Sequence, residues 1–175
     1  MVPATDHNET AYEYDVLDSD GDNVVDSTTT YEYDDNGSTE SVTTGTDVKK
    51  YVWDLRNRLV GLDANGDDDL DDPGDATFAY DHEGTRVRRS VNIDTDEDGI
   101  TDAQDETHFL QDKNNHTGCS QVLEEKSSLT AAPDRSYLIG HDIIAQAVAA
   151  TVHHLLYDAG GSTRGLLDAT GQFPS

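Results

Sequence analysis

Aromatic and polar residues alternate with a period of two in the first half of the chain. A period of two places successive rings on one face of an extended segment, so the pattern predicts β-strands. Further strands are predicted after the turns that follow, at residues 59–62 and 85–91. The alternation occurs in four places, at Tyr12/Tyr14, Tyr31/Tyr33, Tyr51/Trp53 and Phe78/Tyr80.

An aspartate follows each aromatic pair, and in three places it begins a turn-forming sequence. These sequences are DDNG at 34–37, DLRNR at 54–58 and DHEG at 81–84. Asn-Gly is the strongest short signal for a β-hairpin. Because similar units recur about every 20 residues, the sequence predicts stacked hairpins. The predicted fold is all-β, a strip of antiparallel β-hairpins that is not closed, with acidic loops inserted between the strands.

The composition is strongly acidic, with 37 Asp and Glu residues against 11 Lys and Arg residues and a net charge of −26. This charge argues against binding to nucleic acid and to anionic membrane surfaces, which both favour cationic proteins. No apolar stretch approaches the roughly 20 residues of a membrane-spanning helix. About half of the acidic residues lie in three windows, 18–26, 63–75 and 94–106. Such clustering favours local cation sites over a generally acidic surface.

The three acidic windows share one spacing, D-x-D-x-D-x-x-x-D, with Asn in place of the second Asp in the middle window. In EF-hand-like loops, side chains at positions 1, 3, 5 and 9 and the backbone carbonyl at position 7 surround a calcium ion. The predicted calcium ligands are therefore Asp18, Asp20, Asp22, Val24 and Asp26; Asp63, Asn65, Asp67, Asp69 and Asp71; and Asp94, Asp96, Asp98, Ile100 and Asp102, with Asp105 at position 12 of the third loop.

The third loop fits this pattern best. Position 6 requires a sharp turn that Gly adopts most easily, and Gly99 occupies it, whereas the other loops have Asn23 and Asp68 there. The loops resemble the calcium loops of thrombospondin type 3 and dockerin repeats more than full EF-hands, because segments rich in Thr, Tyr and Val flank them. A solvated acidic turn without a bound metal is the alternative interpretation.

The Y-x-Y-D-x-x-G pattern resembles the YD repeat of Rhs proteins. Three later segments resemble the Rhs repeat-associated core: THFLQDKNNHTGCSQVLEE (107–125), RSYLIGHDIIAQ (135–146) and HHLLYDAGGSTRGLLDATGQ (153–172). The resemblance implies a β-sheet strip that spirals into a hollow shell, as in polymorphic toxins, insecticidal toxin complexes and teneurins. It implies an encapsulating role in which the repeats turn over no substrate.

The same resemblance implies a division of the chain. Residues 1–106 are expected to form YD-repeat hairpins with acidic loops at 18–29, 63–75 and 94–105. Residues 107–175 are expected to form a core segment that stops before the protease motif of the family. The Ala-rich run at 142–158 has the composition of a helix, but the resemblance favours two strands around a turn near 147–151.

Two further candidates for functional residues are weak. Arg164 is near both Asp158 and Asp168 in the sequence and is expected to form an ion pair that stabilises a turn. His153 and His154 are adjacent, and adjacent side chains on a strand point to opposite faces. The two histidines are therefore a poor metal-binding pair.

Two functions from different classes are consistent with the sequence. The first is a non-catalytic structural fragment of an Rhs-type shell, of the toxin-encapsulating or cell-surface type, stabilised by calcium. Its partner would be the rest of a larger shell or another chain at an open sheet edge. The alternative is a calcium-dependent extracellular module that binds a glycan or a protein.

Neither function is enzymatic, because no nucleophile, base and orienting group converge in the sequence. Both functions place the protein outside the cell or on its surface. The first residues lack the basic start and apolar stretch of a secretory signal, so this location is expected from the resemblance and the calcium loops alone.

Overall fold

The computed structural model describes residues 11–17, 27–115, 118–140, 143–149 and 151–173, with the backbone alone for 11–17. This part of the chain consists of β-strands joined by turns and loops. The hydrogen-bonded order of the strands is their order in the sequence, in one open antiparallel sheet. The predicted all-β strip of hairpins that does not close is therefore confirmed.

Thirteen strands are present in the described residues, and several coincide with the aromatic repeats. They are β1 (Ala11–Leu17), β2 (Ser27–Tyr33), β3 (Thr39–Thr44), β4 (Asp47–Trp53), β5 (Leu59–Asp63), β6 (Ala76–Tyr80), β7 (Arg86–Ile93), β8 (Ala103–Asp112), β9 (Gln121–Lys126), β10 (Arg135–Ile139), β11 (Ile143–Val148), β12 (Thr151–Tyr157) and β13 (Thr163–Leu167). The strands predicted at 59–62 and 85–91 are β5 and β7.

The Ala-rich run forms two strands, as the resemblance implied, and not the helix that its composition suggested. Strands β11 and β12 pair in register from Ala145 opposite His154 to Val148 opposite Thr151. Between them, Ala149 has a φ of 46°, a left-handed conformation that cannot propagate as a helix. Pairing with the neighbouring strands β10 and β13 supplies the hydrogen bonds that a helix would otherwise make internally.

Five hairpin turns share one set of hydrogen bonds, and an aspartate begins each of them. One carboxylate oxygen of this aspartate accepts the N–H groups two and four residues later, at 2.8–3.0 Å. The residue three positions later donates its N–H to the backbone carbonyl of the aspartate. This residue has positive φ in every turn, being Gly37, Asn57, Gly84, Gly161 or Gly171. The five aspartates are Asp34, Asp54, Asp81, Asp158 and Asp168.

A cation binds the second oxygen of three of these aspartates. Arg58 donates to Asp54 at 2.5 and 2.8 Å, and this contact lowers the pKa of Asp54 to about 2. Lys113 bonds Asp81 and likewise lowers its pKa to about 2. Arg164 bonds Asp158 at 2.5 Å, which confirms the ion pair expected from the sequence.

A β-bulge follows three of the turns at the same distance. Glu40, Val60 and Arg164 are each the extra residue that has no partner on the opposite strand. Each lies six residues after the aspartate that begins its turn. A bulge increases the local twist and redirects the side chains that follow it. The turn and the bulge therefore form one repeating unit of backbone structure.

The chain divides into two compact units. The first comprises residues 1–78 and 90–104, and the second comprises residues 79–89 and 105–175. The predicted division after residue 106 was made on sequence resemblance and stays a prediction. Among the described residues, Ala76 in the first unit and Ala145 in the second are the buried hydrophobic side chains. The largest fully buried side chains are those of Asp63 and Asp75, which both belong to an acidic loop of the first unit.

Candidate metal centre

Two of the three predicted calcium loops lie in the described residues, and both connect sequential strands. The loop at 63–75 leaves the end of β5 and leads to β6, and the loop at 94–105 leaves β7 and runs into β8. The predicted ligands of the first loop lie outside the described residues. These are Asp18, Asp20, Asp22, Val24 and Asp26.

Asp94 organises the third loop by accepting backbone N–H groups. One of its oxygens accepts the N–H of Glu97 at 2.6 Å, and the other accepts that of Gly99 at 2.8 Å. The N–H groups of Asp96 and Asp98 are more distant, at 3.2 and 3.3 Å. The bond from Gly99 is the main cause of the lowered pKa of Asp94. The Asp94 side chain is therefore held as a carboxylate at the mouth of the loop.

The carboxylates of Asp94, Asp96 and Asp102 form a group in which one oxygen from each lies within 4.8 Å of the others. Asp102 accepts the hydroxyl and the N–H of Thr95 at 2.6 and 2.9 Å. The Thr95 hydroxyl is the main cause of the lowered pKa of Asp102. Positions 1, 3 and 9 of the predicted ligand set thus converge on one place.

The other predicted ligands of this loop have different contacts. Asp98, at position 5, accepts the N–H of Ile100 at 2.9 Å. The side chain of Ile100 is 65% exposed, and its predicted contribution is its backbone carbonyl. Asp105, at position 12, accepts a bond from Arg89 at 3.1 Å. The proposed ligand roles of these three residues stay predictions.

The second loop repeats the backbone arrangement of the third. Asp63, which is 2% exposed, accepts the N–H groups of Asn65 and Gly66 on one oxygen and that of Asp68 on the other. Positions 4 and 6 have positive φ in both loops, at Gly66 and Asp68 in the second and at Glu97 and Gly99 in the third. Asp68 therefore adopts the turn conformation for which Gly is the usual residue.

The acidic group of the second loop differs from the predicted ligand set. Its members are Asp67, Asp69 and Asp72, again with one oxygen each within 4.8 Å of the others. Asp69 was predicted to contribute its backbone carbonyl, and Asp72 was not predicted at all. The side-chain amide of Asn65 donates to Asp72 at 2.7 Å, and Asp71 is exposed. Asp72 is the residue after position 9 and lies outside the ligand spacing, so the sequence pattern could not predict that it belongs to the group.

Asp75 is a second residue that the spacing did not predict. It is 1% exposed and accepts the N–H groups of Ala64 and Asp72 at 2.7 and 2.9 Å. In the third loop, Asp102 similarly accepts the N–H of Thr95, the residue at position 2. The same N–H group is therefore capped from position 9 in the third loop, by Asp102, and from position 13 in the second loop, by Asp75.

Crowding of carboxylates raises two pKa values in the second loop. The side-chain hydrogen bond with Asp71 is the main cause of the raised pKa of Asp69. The Asn65 amide lowers the pKa of Asp72, but a hydrogen bond shared with Asp67, desolvation and the nearby charges outweigh it and leave this pKa raised. A raised carboxyl pKa means that the anionic form is disfavoured, and a bound cation would relieve the repulsion.

The two loops are joined to each other within the first unit. The hydroxyl of Thr101 donates to the backbone carbonyl of Asp71 at 2.6 Å. Asn92, at the end of β7, donates its side-chain amide to the carbonyl of Leu70 at 3.1 Å and accepts a bond from Gln104. The backbone of Asn92 also bonds Gly74 and Asp75. The acidic groups are therefore parts of one hydrogen-bonded assembly.

Each group presents carboxylate oxygens and neither nitrogen nor sulfur. Oxygen ligands suit hard cations such as Ca²⁺, Mg²⁺ and Mn²⁺, whereas zinc sites in proteins usually include His or Cys. Calcium takes six to eight oxygen ligands, so three carboxylates could supply half of its shell. Backbone carbonyls and water would supply the rest. The donor set thus fits the predicted metal.

No protein-family model matches this chain, and comparison with curated proteins found no match either. The described residues contain no helix with the length and apolar character needed to cross a membrane.

Proposed function

We propose that this chain is a non-catalytic structural segment of an Rhs-type YD-repeat shell and that calcium stabilises it. The observation that carries the proposal is the set of five turns with the same hydrogen bonds. The residue before the aspartate is aromatic in four of them, at Tyr33, Trp53, Tyr80 and Tyr157. An aromatic-Asp pair that repeatedly builds the same turn is what a YD repeat requires.

The repeated aspartates serve the backbone and not a reaction. One oxygen caps two N–H groups in each turn, and in three turns a cation holds the other oxygen. A carboxylate that is committed in this way is a poor general base, because its lone pairs are engaged, and the pKa values of Asp54 and Asp81 are lowered to about 2. The repeats thus support a structural role.

The proposed partner is the rest of a larger shell, or another chain, at an open sheet edge. Among the described residues, β1 pairs with β2 alone and β13 pairs with β12 alone. An edge strand presents unpaired N–H and carbonyl groups that favour the addition of another strand. Nucleic acid and membrane insertion are not part of the proposal, because the net charge is −26.

Calcium is the proposed metal of the acidic loops at 63–75 and 94–105, and of the loop at 18–26 by its sequence. Extracellular calcium loops bind with a Kd on the order of 10⁻⁴ to 10⁻³ M. With about 1 mM calcium and a Kd of about 0.1 mM, each site would stabilise the folded state by about 1.4 kcal/mol. Two sites would add about 3 kcal/mol, a large part of the stability of a small domain.

A location outside the cell or on its surface is part of the proposal, because loops with this Kd would need millimolar calcium to be occupied. Cytosolic calcium is far below this Kd, so the loops would be empty before export and occupied afterwards. Calcium would then act as a signal that completes folding at the destination.

Thermal melting in chelator and in 1–5 mM calcium tests this function. We expect calcium to raise the melting temperature by several degrees, with magnesium at equal ionic strength as the control. Magnesium should substitute poorly, because it prefers octahedral sites and retains its water. An equal increase with magnesium or sodium would mean that the acidic groups are only screened by salt.

The exposure of the aromatic residues bears on the alternative function, a binding module. A row of tyrosines that faces solvent would favour a binding surface, and a buried row would favour a shell. Tyr31, Tyr51 and Tyr80 are half-buried, which lies between these expectations. The side chain of Tyr12 lies outside the described residues.

A further inference from the structure

A cleft surrounds Trp53, which is the single tryptophan of the chain. Two adjoining cavities of about 470 and 350 Å³ share Trp53 and Asp34 in their walls. The indole Nε1 donates to the backbone carbonyl of Thr39 at 2.8 Å, which fixes the orientation of the ring. All the residues of the cleft belong to the first unit. The cleft is thus an open depression around a fixed aromatic ring.

Four carboxylates line the cleft, and two of them are neutralised. The first cavity includes Asp54, which Arg58 holds at 2.5 Å. The second includes Asp68, which Lys50 holds at 2.6 Å. Each of these two carboxylates therefore has a cationic side chain of its own.

The other two carboxylates belong to Asp34 and Glu40. Asp34 uses one oxygen to accept the N–H groups of Asn36 and Ser38. Within the described part of the chain, no ion pair joins Asp34 or Glu40 to a cation. Glu40 is exposed, is the bulge residue of its hairpin and lies in the wall of the second cavity. An excess of two negative charges therefore remains beside the ring.

We infer that the Trp53 cleft binds a cationic side chain of a basic peptide segment, a lysine ammonium or an arginine guanidinium. A cation over the face of a tryptophan is attracted by the negative face of the ring, and tryptophan is the best aromatic residue for this contact. The free carboxylates of Asp34 and Glu40 supply the opposite charge, and the alkyl stem of the cation packs on apolar surface.

The charge of the whole protein favours a cation over a glycan in this cleft. The net charge of −26 raises the local concentration of cations and the rate at which they arrive. A neutral sugar gains nothing from this field, and an anionic sugar is repelled by it. The cleft is also preorganised, because groups of the chain itself make the turn bonds at Asp34 and the indole bond to Thr39, so little ordering is required on binding.

Fluorescence of Trp53 measures occupancy directly, since no other tryptophan contributes. The titrant is an N-acetylated tetralysine peptide in low salt with chelator, which removes calcium as a competing cation. Two parallel titrations use the same peptide with acetylated lysines and a neutral oligosaccharide. We expect a saturable change with tetralysine alone, weakened at least threefold when salt rises from about 20 to 200 mM.

The variant Asp34→Asn/Glu40→Gln should weaken tetralysine binding about tenfold or more, because it removes both uncompensated charges. Asn can still cap the turn at position 34. The matched control is Glu97→Gln, which removes an exposed charge of the same unit away from the cleft. If the double variant does not fold, the single variant Glu40→Gln, at an exposed position, is used instead and should also weaken tetralysine binding.

Three outcomes would overturn the inference. Equal weakening by Glu97→Gln would show general attraction to a polyanion. A saturable response to the oligosaccharide or to the acetylated peptide, without one to tetralysine, would show a site for neutral ligands. Tetralysine binding by calorimetry without a change in fluorescence would place the cation elsewhere on the protein.

Discussion

The aspartate that begins each hairpin turn has two separate tasks, one for each carboxylate oxygen. The first oxygen replaces water at two backbone N–H groups that the tight turn leaves without strand partners. The second is available for a cation, which is Arg58 of the same turn for Asp54 and Lys113, 32 residues along the chain, for Asp81. Only the capping of the two N–H groups recurs in all five turns, because it depends on the turn itself and not on a residue elsewhere in the chain.

Position four of each turn allows a test at a single residue. Gly84 has a φ of 91°, and no atom lies within 4 Å of an added Cβ. Gly84→Ala should therefore lower the free energy of unfolding by about 1–2 kcal/mol through backbone conformation alone. Gly84→Asn should lower it less, because Asn57 occupies the same position of another turn with a φ of 60°.

Urea unfolding of the wild type and both Gly84 variants provides the measurement. The contrast between Ala and Asn is the control, since both add a Cβ atom. Equal losses would mean that side-chain contacts, and not the left-handed conformation, select Gly at this position.

At the scale of the element, each acidic loop is an ordered structure built on its first aspartate. In the second loop, the fully buried side chains are the carboxylates of Asp63 and Asp75, whereas apolar side chains are the usual buried residues of a core. Their burial is tolerated because backbone N–H groups surround them, which satisfies a buried charge at short range. The conformation of the loop thus rests on hydrogen bonds within the chain itself.

Asp75 should be the more sensitive of the acidic residues in this loop. Asp75→Ala would leave the buried N–H groups of Ala64 and Asp72 without acceptors, at about 1–3 kcal/mol for each unsatisfied group. We expect a loss of about 2–6 kcal/mol for the two groups together, measured by urea unfolding in chelator. Asp69→Ala in the same loop is the matched control, and it should be neutral or stabilising because it removes a repelled carboxylate. A larger loss for Asp69→Ala would contradict this assignment.

Asp96 tests the metal group of the third loop without disturbing the loop itself. Its carboxylate belongs to the group with Asp94 and Asp102, while other aspartates, chiefly Asp94, accept the backbone N–H groups of the loop. Asp96→Asn should weaken calcium binding roughly tenfold through the loss of one charged ligand, with an unchanged melting temperature in chelator.

Calorimetric titration with calcium measures this change. Glu97→Gln removes a neighbouring charge that is not in the metal group, so it should weaken binding much less. Similar effects of the two substitutions would indicate that the loop attracts cations only through its total charge.

At the scale of the whole molecule, the sheet has little hydrophobic core. Two alanines are the buried apolar residues of the described chain, although most domains bury one face of each sheet against a second layer. In the second unit, even large apolar side chains on the strands are exposed, at Leu138 and Val152, or half-buried, at Leu155. With so little apolar burial, the hydrogen-bond ladders between strands and the turns carry more of the stability of this sheet.

Self-association should therefore increase with salt. The net charge of −26 opposes the approach of two copies, and about 0.1 M salt reduces the range of this repulsion to about 10 Å. The edges of β1 and β13, which have no second partner strand among the described residues, then favour strand addition. We expect light scattering at fixed protein concentration to show larger species as sodium chloride rises from about 20 to 300 mM.

A charged residue at the edge is the control for this prediction. Leu166→Lys in β13 should reduce the association, because lysine on an edge strand discourages pairing with another chain. A folded protein that stays monomeric throughout the salt series would contradict the role of open edges.

Local patterns determined much of the fold. A period of two in the aromatic residues, followed by Asp and a turn sequence, was enough to place strands such as β4 and β5 and to predict an open antiparallel strip. These features depend on residues that are close in the sequence, so the sequence pattern alone was enough to predict them. The spacing of the acidic loops likewise identified Asp94, Asp96 and Asp102 as a group, because all three belong to one short loop.

Only the tertiary structure decided which residues meet across longer distances. Asp75 and Asn92 join two acidic loops, Lys113 pairs with Asp81, and Asp72 lies in a group with Asp67 and Asp69, yet no short spacing indicates these contacts. The run at 142–158 also needed its neighbours, since alanine favours a helix until strands on both sides offer hydrogen bonds. The physical reason is the same in each case: local conformation follows from adjacent residues, whereas burial and the pairing of charges depend on the elements that the whole fold brings together.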